Sequence, residues 1–404
     1  MSDIAQPAAR APSKPGSLLA SFLLRRLLSK LRYGRLTCVL PDGSFLEGQG
    51  VWPGPDAVIE LHNTRLLRAM LLNGEAGFYE SYLEGAWSSP DLTALLTLAG
   101  LNEADAAPSG LFAIPARWFN RLRHATHANT RSGARRNIMA HYDLGNEFYA
   151  AWLDPSMLYS SGLYEQPDDT LETAQHSKLA LIADWLCVPC GGSVLEIGCG
   201  WGALARHLGM AGARVTGLTI SPAQLAYAQS VIAQAGLNKQ VQLALRDYRD
   251  ETGSYDRIVS VEMLEAVGEA YWPIYFQALR ARLKAGGRAV LQVIAIDESH
   301  YEGYRRTPDF IQRHVFPGGM LPTKTVIAEQ AKQAGLVPGR VQHFGASYAR
   351  TLAEWRLRFL AAWPRIEAMG FDARFRRLWT YYLCYCEAGF ASGRVDIGLY
   401  ELKG

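Results

Sequence analysis

Residues 194–202 read VLEIGCGWG, an apolar run that closes on an acidic residue and then breaks into Gly198, Gly200 and Gly202. Val194, Leu195 and Ile197 have the composition of a buried strand. Glycines after it let backbone approach a ligand, and Gly202-Ala-Leu-Ala-Arg-His-Leu opens a helix whose first N–H groups suit a carboxylate. This is how a nucleoside-cofactor fold begins. The glycines stand at every second position, unlike the G-x-G-x-x-G of dinucleotide enzymes.

The segments that follow keep the same rhythm. Val215–Ile220 reads as a second strand, and Ser221-Pro-Ala-Gln224 as a helix start with Ser at the N-cap, Pro at the first helical position and Gln224 in the first turn. Val241–Leu245 runs into Arg246–Asp250; Tyr255–Val261 and Gly286–Ile294 come next. Strands alternating with helices predict an α/β domain with a parallel, doubly wound sheet. Within such a sheet, alternate glycines after the first strand are the spacing of methyltransferases that bind S-adenosylmethionine.

The chain has 404 residues, 49% of them hydrophobic, enough for two or three globular domains. Residues 1–16, rich in Ala, Pro and Ser, read as a disordered tail without the pattern of a signal peptide. Arg25 and Arg26 interrupt the best apolar run, Leu18 to Leu28, so no membrane span is expected. Six cysteines without a secretory signal suggest reduced thiols in the cytoplasm. Cys187-Val-Pro-Cys190 has chelating spacing, but no second pair completes a zinc set, and a packed turn is the better reading.

A net charge of +3 does not predict general nucleic-acid binding. The positive charge is clustered instead. Leu19, Phe22, Leu23, Leu27 and Leu31 fall on one helical face, with Arg25, Arg26, Lys30, Arg32 and Arg35 around and after it. Such a helix can lie on an anionic bilayer or dock on its own domain. A small α+β accessory module is expected over 17–110, with strands at Arg35–Leu40 and Ala57–His62 and a helix started by Ser89-Pro90-Asp91. A basic linker over 111–136 leads to the catalytic domain at 137–404. The aromatic stretch at about 300–365 is expected to cover the active site as a lid.

Taken together, HYDLGNEFY (141–149), LDPSMLYSS (153–161), VLEIGCGWG (194–202), GLTISPAQ (217–224), RDYRD (246–250), YDRIVSVEMLEAVG (255–268), VFPGGMLP (315–322), FGASYARTL (344–352) and FLAAWPRI (359–366) resemble the cyclopropane-fatty-acyl-phospholipid synthases and mycolic acid methyltransferases. ESYLEGAW (80–87) extends the likeness loosely into the first module. The resemblance implies a class I methyltransferase fold, Rossmann-like, with a mostly parallel seven-stranded sheet. It also implies methyl transfer from S-adenosylmethionine to the double bond of an unsaturated acyl chain, followed by proton loss. The partner it implies is membrane phospholipid, met by a peripheral enzyme at the inner membrane surface; a homodimer would suit that task.

Carried over residue by residue, the cofactor contacts implied are Tyr159 and Ser160, Glu196 through Gly202 (Glu196, Gly198, Cys199, Gly200, Trp201, Gly202), then Thr219, Ile220, Ser221 and Gln224, and finally Asp247, Tyr248 and Arg249. Gln224 would meet the ribose hydroxyls and 247–249 the adenine. The synthases use a bicarbonate ion as base, held by Cys, Glu, His, Ile and Tyr. The matching positions here are Ser161, Glu265, Gln292, Ile294 and Tyr348. Cys and His are thus replaced, and the family's Glu-His pair becomes Glu265-Ala266. Ser161 and Gln292 can still donate to an anion, but Gln cannot titrate. These departures bear on ring closure and leave the cofactor fold untouched. Proton loss from a neighbouring carbon would give a methyl-branched alkene or a methylene group instead of a cyclopropane. Two other readings compete: methylation of a small soluble nucleophile, and an inactive lipid-binding partner.

Overall fold

A computed structural model describes residues 24–102 and 144–404, and the chain divides into two compact units, 1–110 and 111–404. The expected tail at 1–16, the start of the basic helix, the linker at 111–136 and His141–Asp143 lie outside the described residues.

The first unit carries β1 (Tyr33–Val39), β2 (Phe45–Gln49), β3 (Trp52–Leu61) and β4 (Trp87–Ser88) in the order β2-β1-β3-β4. β1 and β2 form an antiparallel hairpin about Pro41-Asp42-Gly43, whereas β1 and β3 run parallel. β3 begins at Trp52, ahead of the Ala57 start that the sequence suggests. Pro53 and Pro55 fit there because β4 pairs only with Glu60 and Leu61, which leaves the first half of β3 at an edge. Helices Arg65–Asn73 and Glu75–Leu83 turn on Gly74, and a Cβ on Gly77 would stand 2.1 Å from the Ala69 carbonyl oxygen. Only glycine permits so close a crossing. The helix Leu92–Leu101 is capped by Asp91, whose carboxylate accepts from Ala94 N at 2.9 Å. Residues 24–28 are helical, and Leu24 and Leu28 are buried. Leu28 packs on Gly48, where a Cβ would come within 2.7 Å of its own. This part of the basic helix is docked on its own unit.

The second unit holds β5 (Ser193–Ile197), β6 (Arg214–Thr219), β7 (Val241–Leu245), β8 (Tyr255–Val261), β9 (Leu283–Ile296), β10 (Val337–His343) and β11 (Val395–Lys403). Their order is β10-β11-β9-β8-β5-β6-β7. β5 to β9 are parallel, and β11 lies antiparallel between β9 and β10. This is the class I methyltransferase arrangement. Strand order reverses at β5, which pairs with β6 on one side and β8 on the other, so a crevice opens at the carboxyl ends of those strands. Val194, Leu195, Ile258, Val259, Val290 and Leu291 are completely buried at the centre.

The stretch at 300–365 is not one lid. Helix Lys324–Gln333 and β10 belong to the regular sheet layer, while helices Glu298–Arg306 and Phe310–His314 with the loop to Pro322 form the irregular part. β10 is an edge strand with mostly exposed residues and Pro338 near its start, so its sequence lacks the apolar pattern of the inner strands. Cys187 ends helix Leu171–Leu186 in the left-handed conformation (φ 46°), and Arg257 donates to its carbonyl oxygen at 2.8 Å. The Cys187–Cys190 segment is a helix cap with both thiols exposed. No helix among the described residues is long and apolar enough to cross a membrane.

Three strand starts are tied by one carboxylate. Asp256 accepts from Ser193 N at 2.8 Å, from Ser193 Oγ at 2.7 Å and from Lys284 Nζ at 2.9 Å, which holds its carboxyl well below the usual range. A depressed carboxyl stabilises the fold above its unfolded pKa and loses that contribution as pH falls. We expect Asp256→Asn to lower stability at pH 7 by about 1 kcal/mol, allowing for solvent screening, with the difference from wild type closing below about pH 4 in urea titrations.

Candidate active site

The loop after β5 divides its work among three glycines, at φ 85°, 51° and 90° for Gly198, Gly200 and Gly202. A Cβ on Gly198 would stand 2.5 Å from Met263 Cγ, and one on Gly202 3.0 Å from the Ala228 Cβ, so both are packing positions. A Cβ on Gly200 would meet nothing within 4 Å; this glycine faces open space. Gly198 N and Cys199 N donate to the Leu218 carbonyl at 2.9 and 2.8 Å, tying the loop to β6. Trp201 Nε1 donates to Asn146 Oδ1 at 2.8 Å, and Asn146 Nδ2 to the Ala223 carbonyl at 3.2 Å.

Glu196 is buried beneath this loop, and one of its carboxyl oxygens has no hydrogen-bond partner. Burial pushes its pKa up to about 8. An unpartnered carboxyl beside an open glycine suits a ligand bearing an ammonium group. At the end of β6, Thr219 Oγ1 donates to Gln224 Oε1 at 3.1 Å and accepts from Ser221 N at 3.2 Å; Ile220 is half-buried between them. After β7, Asp247 is bound on both oxygens by Arg249, at 2.8 Å from Nε and 2.6 Å from Nη2, with the guanidinium 5.6 Å from the Tyr248 ring. The two charges offset each other, and the guanidinium lies between the Tyr248 and Tyr271 rings, at 5.6 and 6.0 Å.

On the other side of the crevice, three of the five positions that the family likeness assigns to an anion meet at Glu262, which the sequence does not single out. Ser161 N and Gln292 Nε2 donate to Glu262 Oε1 at 2.9 and 2.8 Å, and Tyr348 OH donates to Glu262 Oε2 at 2.6 Å. Ser161's own hydroxyl turns away to the Gly162 carbonyl. Ile294 N donates to Glu265 Oε1 at 2.5 Å, while Glu265 Oε2 is buried without a partner. Burial, and then the Glu262 charge, push Glu265 up to about 8. Burial also raises Glu262, against the opposing pull of Tyr348, Ser161 N, Lys178 and Gln292. Both carboxyls are thus raised by burial, but only Glu262 has donors on both oxygens and a nearby ammonium to offset it.

Lys178 was equally unforeseen. It is 1% exposed, donates to Ser160 Oγ at 2.6 Å, and is pushed down to about 8 by burial, with Glu262 and Asp154 acting to keep its charge. Nothing in the sequence distinguishes it from a surface lysine on an amphipathic helix. Glu262 did carry a signal: it follows β8, beside the switch point, three residues before Glu265.

An aromatic wall joins the two halves. Tyr149 stands 5.1 Å from Trp201 and 5.3 Å from Tyr159; Tyr159 stands 5.2 Å from Trp355; Trp355 stands 6.2 Å from Tyr348. Tyr159 OH and Tyr382 OH share a 2.8 Å hydrogen bond, and Phe390 packs 4.5 Å from Tyr348. Rings thus run continuously from the glycine loop to the Glu262 carboxylate.

The family described as mycolic acid cyclopropane synthetase matches residues 129–399. The chain belongs to this family. It is 36% identical to tuberculostearic acid methyltransferase UfaA1 of Mycobacterium tuberculosis over 96% of this chain and 92% of that protein. It is also 36% identical to the cyclopropane-fatty-acyl-phospholipid synthase of Escherichia coli K12, over 86% of this chain and 87% of that one. Among solved structures, mycolic acid cyclopropane synthase CmaA1 complexed with SAH and CTAB aligns with 67% of this chain and 98% of its own, at 28% identity and a TM-score of 0.63. This member of the mycolic acid cyclopropane synthetase family is an S-adenosylmethionine-dependent methyltransferase of the lipid-modifying class.

The residues at the switch point fit that cofactor: open space at Gly200 and an unpartnered carboxyl at Glu196. Because Glu196 is raised, folding holds a proton that the unfolded chain releases, so ligand-free stability falls as pH rises from about 4.5 to 8. We expect Glu196→Gln to remove this slope and raise the ligand-free Tm at pH 8. The same variant should weaken S-adenosylmethionine at least about tenfold in calorimetric titration.

Proposed function

We propose that the enzyme methylates the double bond of an unsaturated fatty acyl chain carried by a membrane phospholipid, and that its product is a methyl-branched alkene or methylene compound, with no ring. The observation that carries this reading is a half-buried carboxylate, Glu262, held by three donors at the end of an aromatic wall that starts at the cofactor loop. S-adenosylmethionine, when bound, supplies an electrophilic methyl group. The residues have three tasks: exclude water from an alkene, shelter the positive charge that arises on the acyl chain, and take up a proton. The rings of Tyr149, Tyr159, Trp355 and Tyr348 serve the first two, since their faces attract a cation and their bulk displaces water. The carboxylates serve the third.

The absence of Cys and His at 161 and 292 supports proton loss without ring closure, because the anion-binding set differs from that of the synthases. The match over 96% of the chain is to a protein named as a methyltransferase. The equal identity to a cyclopropane synthase keeps ring formation as the second reading. A phospholipid substrate is supported by the large apolar side chains exposed on the first unit, among them Phe45, Val51, Trp52, Leu71 and Leu72, and by the exposed Arg25 and Arg26.

The test is incubation with methyl-labelled S-adenosylmethionine and liposomes of monounsaturated phospholipid, followed by NMR of the released acyl chains. We expect label in vinylic-methyl or methylene signals. Upfield ring protons would establish the cyclopropane reading, and label absent from lipid would overturn the acyl-chain reading altogether.

A further inference from the structure

Ser161, Gln292 and Tyr348, the positions that the family likeness assigns to bicarbonate, do not present free donors to an external ion. Their backbone N–H, carboxamide and phenol all donate to one side chain, Glu262, at 2.9, 2.8 and 2.6 Å, and both of its oxygens are engaged. The buried ammonium of Lys178 adds a favourable charge. A carboxylate and a bicarbonate share the same planar pair of oxygens, so donors arranged for one suit the other. The site therefore does not fit a separate bicarbonate while Glu262 is in place.

The backbone supplies an independent indication. Glu262 is one of three non-glycine residues with positive φ among the described residues, at 51°. A left-handed conformation costs a branched-Cα residue about 1 kcal/mol that glycine escapes. Here a glutamate holds that conformation and takes its charged group into a partly buried site as well. Both costs disfavour glutamate for stability, and the conformation aims its carboxylate at the three donors.

We infer that Glu262 is a built-in substitute for the external anion and the proton acceptor of the reaction. The proton-accepting role rests on the acyl-chain reading above; the occupancy of the anion site does not. In the step itself a C–H bond next to the cationic carbon breaks, its electron pair forms the new carbon–carbon double bond, and the proton passes to a Glu262 oxygen. Release of product returns that proton to solvent. Glu265, driven toward its neutral form beside Glu262, is not a competing acceptor near pH 7.

The experiment uses the full chain as wild type, Glu262→Gly and Glu262→Gln. Binding of carbon-13 bicarbonate is followed by broadening of its NMR resonance, and turnover on monounsaturated liposomes is measured in carbon-dioxide-free buffer with and without added bicarbonate. Wild type should leave the bicarbonate resonance sharp and keep its rate within about twofold without the ion. Glycine suits φ 51° and removes the carboxylate, so Glu262→Gly should bind bicarbonate and gain at least about tenfold in rate from it. Glu262→Gln should lose about a hundredfold or more in kcat while its Kd for S-adenosylmethionine stays within about twofold.

Bicarbonate binding or bicarbonate dependence in the wild type would overturn the inference, as would full kcat in Glu262→Gln. If Glu262→Gly fails to give a cooperative melt, wild type and Glu262→Gln decide the matter. If wild type labels no lipid at all, the acyl-chain reading fails, and the binding comparison between wild type and Glu262→Gly still decides whether the carboxylate fills the anion site.

Discussion

A carboxylate enclosed by protein must have donors on its oxygens and a compensating charge nearby, or it gives up its charge to a proton. Around Glu262 that requirement draws on four separate parts of the chain: the loop at Ser161, the helix bearing Lys178, strand β9 at Gln292, and the helix bearing Tyr348. The first two are neighbours in sequence, and the other two come from far along the chain. Their common point is the carboxyl end of β8, beside the strand at which the sheet reverses its order. The catalytic unit is thus organised about a polar centre as well as an apolar core, and the aromatic wall runs up to that centre.

The fold that carries the glycine loop was largely legible. A glycine-rich turn after an apolar strand has few structural solutions, and the alternation of strands and helices after it leaves little freedom in topology. The anion half was legible only in part. Ser161 and Tyr348 could be picked out by their place in longer motifs and Gln292 and Ile294 through the family likeness alone, and the structure sets Ser161, Gln292 and Tyr348 on a single carboxylate. What the motif could not convey was the carboxylate itself, because its orientation depends on a positive φ that a glutamate does not announce. Lys178 was hidden for another reason: burial of a lysine depends on which partners the far side of the fold supplies. β10 and the first half of β3 escaped because prolines and polar residues are allowed at sheet edges.

Overall identity distinguishes little between the two named relatives, since both stand at 36%. Chemistry that differs only in where a proton leaves would depend on a few side chains near the reacting carbons. Those side chains contribute almost nothing to identity over the whole alignment. The local exchange of Cys and His for Ser161 and Gln292, together with a glutamate at 262, is therefore more informative about outcome than percentage similarity.

The antiparallel strand β11 has a consequence for how the chain is made. It occupies the slot between β9 and β10 and pairs along its own full length with β9, from Val395 opposite Ile296 to Lys403 opposite Arg288. During vectorial synthesis, β9 emerges about a hundred residues before its neighbour, with an unpaired and strongly apolar edge. Until residues 395–403 leave the ribosome, that edge is open to strand addition by other chains. Truncation or fusion at this end would thus act on aggregation during biosynthesis before it acts on the reaction.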